Sequence, residues 1–121
     1  MNKLSIILLS TLTVAIILTS CEKEEDNFDE SLLIGKWQSG TLHYRYFADG
    51  KGYTWDLGDD VQENEAQHFT WTLNKSVLTQ IHIMETGGAG VPKVYTITEL
   101  TPTRLRYRDS FFKSFSFTKV N

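Results

Sequence analysis

The single cysteine of the chain, Cys21, has the clearest chemical setting. It follows Leu18, Thr19 and Ser20, an aliphatic residue and then two small ones. Small side chains fit the cleft of a peptidase, and a free thiol can accept a diacylglyceryl group. We therefore predict cleavage before Cys21 and lipidation of its sulfur. A lone cysteine forms no internal disulfide, although an exported protein would permit one.

The residues before Cys21 have the composition of an export leader. Lys3 provides a positive start, and residues 4–18 are uncharged and mostly aliphatic. This core has the length of a signal peptide and falls short of the roughly 20 residues that span a bilayer. Residues 18–21 also resemble the bacterial lipobox. We predict a signal-peptide helix over 1–20, a lipidated tether over 21–31 and a folded domain over 32–121.

Charge is concentrated in the tether. Residues 22–30 hold six acidic residues and one basic residue, which is too polar a segment to bury, so we expect it to be disordered. Lys23, Glu24 and Glu25 resemble the export signal of some Gram-negative lipoproteins, which implies an outer-membrane lipoprotein facing the cell exterior. The alternative is an ordinary acidic spacer.

The remaining charges exclude one class of partner. Residues 31–121 carry nine acidic and ten basic residues, so the folded domain is close to neutral. No basic field for nucleic acid is present. We expect a monomer whose partner is the membrane that holds its lipid.

From residue 33 onward the sequence alternates with a period of two, which indicates β-strands. Asp49-Gly50 is a strong hairpin signal. Closing a meander of strands into a barrel removes exposed edges. We predict an all-β antiparallel barrel of seven strands, or of eight if the first bends near Gly40. The approximate strands are 36–47, 51–57, 66–74, 78–85, 92–100, 103–109 and 112–119.

The register of one hairpin can be argued from burial. A three-residue loop, 75–77, places Trp71 opposite Ile81 and Phe69 opposite Ile83. A two-residue loop would instead bring polar residues opposite these aromatic side chains. Because a slip of one residue exchanges the two faces of a strand, we predict the three-residue loop. His68 and His82 then share the outward face.

Several motifs together resemble one family. Residues 33–37 contain Gly35 and Trp37 and are similar to the G-x-W opening of the lipocalins and of small lipocalin-like bacterial lipoproteins. Three further segments resemble the small bacterial type in the same order: the aromatic and Asp-Gly hairpin at 47–52, the F-x-W-x-L strand at 69–73 and the Y-x-I-x-x-L strand at 95–100.

The resemblance implies a structural role for two residues and leaves the interior open. Trp37 would plug the barrel floor under a cationic side chain, and Gly35 would allow the chain to turn into the first strand. The late arginine of full lipocalins has no counterpart on the last strand. Arg104, Arg106 or Arg108 could cover Trp37 instead. The short domain leaves both a deep calyx and a filled or shallow barrel open.

Few residues have the spacing of a chemical site. The three histidines, the acidic loop 57–66 and the glycines of 87–90 lack the patterns of zinc, calcium and phosphate sites. No nucleophile has a partner base in a recognisable setting. We expect no enzymatic activity, metal or cofactor. The remaining candidates are a row of three cations on one strand face, Arg104, Arg106 and Arg108. The row is either an ordinary solvent-facing surface or a contact for an anion, a glycan or Trp37.

Two functions are compatible with these features. The first is a binding module that holds a small amphipathic ligand or a glycan at the open end of the barrel. Tyr53, Trp55 and the loop 86–92 would form the rim, and the arginine row could contact an anion or glycan. The second is a protein-interaction or inhibitor lipoprotein with a filled barrel and no small-molecule ligand.

Overall fold

Eight antiparallel strands close into a barrel in the computed structural model, which describes residues 27–120. Each strand pairs with the next, and the last pairs with the first. The predicted all-β class is confirmed, and the first predicted strand is two strands joined at Gly40, whose φ of 62° suits glycine. The strands are β1 Gly35–Ser39, β2 Leu42–Tyr46, β3 Lys51–Asp56, β4 Gln67–Asn74, β5 Val77–His82, β6 Lys93–Leu100, β7 Arg104–Arg108 and β8 Ser114–Val120.

Because successive strands run in opposite directions, the connections between them lie alternately at the two ends of the barrel. At the closed end, the 3-10 turn Glu30–Leu32 leads into β1, and Leu33 is fully buried there. The N–H of Phe28 donates to the carbonyl of Lys75 in the β4–β5 hairpin (3.4 Å), so the chain also enters at this end. The longer loops, 57–66, 83–92 and 109–113, all lie at the opposite, open end.

The interior of the barrel is filled by side chains. Alternate residues of each strand point inward, as the period of two requires. Tyr46 lies 5.5 Å from Phe69, and Tyr107 lies 5.3 Å from Phe117, measured between ring centres. Both distances are typical of packed aromatic rings. Of the two interiors that the sequence left open, the structure has the filled one.

The predicted register of the β4–β5 hairpin is wrong. The loop has two residues, and Trp71 pairs with Gln80 while Phe69 pairs with His82. Lys75 adopts a φ of 60° to make this turn. Burial of Gln80 and His82 is tolerated because their polar atoms find partners inside the barrel, as buried polar groups require.

Candidate functional site

Trp37 lies at the closed end under a lysine. The Nζ atom of Lys119 lies 4.5 Å from the centre of the Trp37 ring and donates to the carbonyl of Ile34 (2.8 Å). The indole Nε1–H donates to the carbonyl of Leu33 (2.9 Å). Gly35 has a φ of 129°, and a Cβ there would lie 2.7 Å from Cε of Lys119. Only glycine therefore fits where the chain turns into β1.

The cation over Trp37 is a lysine, so the alternative in which an arginine covers Trp37 is wrong. Lys119 lies on β8, which closes the barrel beside β1 and pairs residue for residue with Trp37. The arginines of β7 are one strand further away and point outward, because Leu105 and Tyr107 between them fill the interior. The contacts of these outward arginines are long: Arg106 lies 3.8 Å from Glu99, and Arg108 lies 5.7 Å from the ring centre of Phe112.

Tyr53 and Trp55 lie on the outer face of β3. Trp55 is 5% exposed because His43 stacks on it at 4.9 Å and Lys36 lies over its ring. The Tyr53 hydroxyl donates to Glu63 (3.0 Å), which also pairs with Lys36. Desolvation and the bond to Glu63 raise the pKa of Tyr53. These residues fasten the loop 57–66 to the barrel wall, and only Trp55 borders the opening described next.

The open end of the barrel forms a shallow cup of about 380 Å³. Tyr44 and His82 lie where the cup meets the filled interior. A neighbouring opening of about 520 Å³ runs under the loop 83–92 and shares Gln67, His82 and Lys93 with the cup. The side chains around the cup are Leu42, Tyr44, Thr54, Trp55, Asp56, Asp59, Val61, Glu65, Gln67, His82, Glu85 and Lys93.

A chain of polar side chains leads from the cup into the interior. His82 approaches Gln67 through Nδ1 (3.0 Å) and Gln80 through Nε2 (2.9 Å), and Gln80 donates to the hydroxyl of Tyr46 (2.8 Å). Burial, with a smaller contribution from the charge of Lys93, lowers the pKa of His82 to about 4. The ring is therefore neutral near pH 7 and carries one N–H, which can donate to one of the two glutamine oxygens that face it.

The tyrosines at the inner end of this chain stay protonated. The Tyr46 hydroxyl also hydrogen-bonds Tyr107, and burial raises the pKa of both tyrosines well above the ordinary value. The network therefore carries no net charge at neutral pH, which is how polar groups are stable in a packed interior. Sequence reasoning missed it, because the register with Gln80 and His82 inside was rejected on their polarity.

The histidines do not assemble a metal site. His82 points into the barrel, His68 lies on the outer face of β4 against Tyr53, and His43 stacks on Trp55. The prediction that His68 and His82 share an outward face is therefore wrong. Across residues 27–120, no three histidine, cysteine or acidic side chains converge as a metal ion would require.

The comparison with family models decides the classification. The model of the lipocalin-like domain matches residues 18–107, which is 90 of the 121 residues. The chain belongs to the lipocalin-like domain family. The strand β8 of this lipocalin-like barrel lies beyond the matched residues, although it closes the sheet and supplies Lys119. No curated protein and no solved structure matches the chain.

Two further findings concern the predicted anchor and the predicted export signal of this lipocalin-like protein. None of the helices between residues 27 and 120 has the length and hydrophobicity that a membrane crossing requires. Cys21, Lys23, Glu24 and Glu25, with the predicted leader 1–20, lie outside the described residues.

Proposed function

We propose that the protein is a lipid-anchored binding protein whose lipocalin-like barrel takes up a small amphipathic ligand in the cup at its open end. The observation that carries the proposal is the cup itself. It is a concavity of about 380 Å³, within the size range of small-molecule sites, and it joins apolar side chains such as Leu42 and Val61 to charged ones.

The filled interior limits the size of the ligand. Tyr44 and His82 occupy the level at which a deep calyx would begin, and they are 8% and 6% exposed. A long acyl chain has no space below them. The cup suits a compact molecule that places an apolar part against Leu42, Val61 and Tyr44 and leaves a polar part at the rim.

The charges around the cup favour a neutral or cationic ligand. Asp56, Asp59, Glu65 and Glu85 border it, against the single cation Lys93, since His82 is neutral. A glycan is less well supported than an amphipathic molecule. Sugars stack on open aromatic faces, and the Trp55 ring is already stacked on His43.

The proposed location follows from the sequence motifs. Acyl chains on Cys21 would hold the protein on the outer membrane, and Lys23, Glu24 and Glu25 would direct it to the outer face as a monomer. Because the described chain enters at the closed end, the cup would face away from that membrane. We assign no catalytic step to the protein and no nucleic-acid partner.

The ligand is tested by native mass spectrometry of the barrel domain, residues 27–121, after incubation with an extract of the host. We expect an added small-molecule mass on the wild type. Val61→Trp, which fills the cup, should abolish the added mass. Val77→Trp, at an exposed position of the closed end, should retain the added mass. A wild-type domain that stays unliganded, or a mass retained by Val61→Trp, would contradict the proposal.

A second candidate is a protein-interaction or inhibitor lipoprotein. The observation that favours it is the filled interior, in which aromatic rings such as Tyr46 and Phe69 leave no deep calyx. Such a protein would act through its outer surface. An unliganded domain that binds a defined protein with a measurable Kd, unchanged by Val61→Trp, would support this function over the first.

A further inference from the structure

Exposed apolar side chains are gathered at one end of the barrel. Phe111 is 87% exposed and Phe112 is 76% exposed. Of the seven large hydrophobic residues that are exposed within residues 27–120, Val77 alone belongs to the closed end. The other six belong to the open end: Leu57, Met84, Val91, Val94, Phe111 and Phe112. Gathering of this kind is unusual for a surface that meets only water.

The two phenylalanines form the tip of the β7–β8 hairpin, here called the aromatic tip. A carboxylate oxygen of Asp109 accepts the N–H groups of Phe111 (2.8 Å) and Lys113 (3.0 Å). Phe112 has a φ of 65°, a conformation that side chains with a Cβ rarely adopt. The hairpin therefore presents both rings outward from a well-bonded turn and does not fold them onto the barrel.

Cations flank the aromatic tip. The guanidinium of Arg108 lies 5.7 Å from the ring centre of Phe112, and the exposed Lys113 follows directly. The carboxylate within the turn, Asp109, is engaged by the backbone, and the acidic side chains of the open end border the cup. Phenylalanine beside lysine and arginine is the combination that settles into the interface of a membrane with anionic lipids.

The area of the tip also distinguishes between possible occupants. Two phenylalanine rings offer roughly 300–500 Å² of surface, whereas a stable interface between two proteins buries about 800 Å² on each side. A bilayer needs no complementary pocket, and it receives projecting rings directly. We propose that the aromatic tip, with Arg108 and Lys113, docks the barrel on an anionic lipid surface.

This surface is separate from the cup and from the predicted lipid anchor. The chain enters at the closed end, so the tip points away from the bilayer that would hold Cys21. Docking therefore does not depend on acylation or on a ligand in the cup. The membrane that the tip meets lies on the far side of the barrel from the tether.

The barrel domain, residues 27–121, is suited to the test because it contains all eight strands of the closed barrel and the core that they enclose. It also lacks Cys21, so that Phe111→Cys introduces a single thiol for an environment-sensitive fluorophore. Val77→Cys, at the closed end, is the matched control. Vesicles of phosphatidylcholine, alone or with phosphatidylglycerol, provide neutral and anionic surfaces.

We expect the domain to float with the anionic vesicles and not with the neutral ones, and the label at 111 alone to shift to the blue. Phe111→Ser with Phe112→Asn should lower the partition coefficient at least tenfold, and asparagine also suits the positive φ. Arg108→Gln with Lys113→Gln should lower it on anionic vesicles, whereas Arg104→Gln with Lys51→Gln should change it less than twofold.

Three results would overturn the proposal. One is a folded wild-type domain that floats with neither kind of vesicle. Another is flotation that survives loss of both phenylalanines. The third is sedimentation of the free domain as a dimer that these substitutions dissolve, which would assign the tip to contact between two copies of the chain.

Discussion

Lys119 is the cross-strand partner of Trp37, and its ammonium lies 4.5 Å from the centre of the indole ring. The same ammonium donates to the carbonyl of Ile34. One side chain thus fastens the last strand, the first strand and the turn before it. We therefore expect this contact to stabilise the closed end of the barrel.

Replacing Lys119 should weaken the fold at that point. Lys119→Met removes the cation–π contact and leaves the Ile34 carbonyl without its donor, and we expect a loss of about 2 kcal/mol in the free energy of unfolding. Lys119→Arg should lose under about 1 kcal/mol, because a cation remains over the ring. Urea unfolding followed by tryptophan fluorescence measures both. The exposed Lys51→Met is the control, and a Lys119→Met variant as stable as that control would contradict the prediction.

Acid should destabilise the barrel through His82. Its pKa is lowered to about 4 in the folded protein and returns to its ordinary value on unfolding. Between these two pKa values the unfolded chain binds more protons than the folded protein. The contribution of His82 to the free energy of unfolding is therefore complete above the ordinary pKa and decreases as the pH falls. From about pH 7.5 to about pH 5.5 we expect a loss of about 1 kcal/mol from this residue.

The contribution of His82 is isolated by substitution. Unfolding of the wild type and of His82→Gln is compared across that pH range, and the variant should be less sensitive to pH by the stated amount. His68→Gln, on the exposed outer face, is the matched control. Equal sensitivity in all three proteins would argue against a role for the buried imidazole.

Gln80 should be energetically coupled to Tyr46. Gln80→Leu removes the donor to the Tyr46 hydroxyl and the partner of one nitrogen of His82, and we expect a loss of about 1–3 kcal/mol. A double-mutant cycle with Tyr46→Phe measures the coupling, expected at about 1 kcal/mol. Gln38→Leu, at an exposed position of β1, is the matched control. Additive losses in the cycle would mean that the hydrogen bond contributes little.

Lipidation of Cys21 has a direct test. The mature protein purified from its native host should begin at Cys21 and carry acyl chains. Intact mass spectrometry of the protein in detergent would detect them. Cys21→Ser should abolish the acyl mass and release the protein from the membrane fraction. A wild-type product that retains its leader, or that has a free thiol, would refute both the cleavage and the anchor.

The predicted export signal in the tether can be tested on whole cells. A protease added outside should digest the wild type, if Lys23, Glu24 and Glu25 direct it to the outer face. Replacing the three residues by alanine should leave the protein full-length in intact cells and digestible after lysis. If the wild type is itself protected until lysis, the protein faces the periplasm.

The sequence by itself determined the class of fold and most strand positions. Alternation in segments such as 69–73 and the turn at Asp49-Gly50 are local, because a period of two assigns each side chain to a face without reference to distant residues. The resemblance of residues 33–37 to the G-x-W opening likewise implied that Gly35 and Trp37 lie at the barrel floor.

Tertiary structure alone decided what depends on closure. Lys119 reaches Trp37 only because β8 returns beside β1, and the sequence offered three arginines with equal claim. The inward position of His82 depended on whether Gln80 would find partners across the barrel, which no local pattern encodes. The cup arises where segments distant in sequence meet. Contacts of this kind follow from the path of the whole chain and not from any one segment.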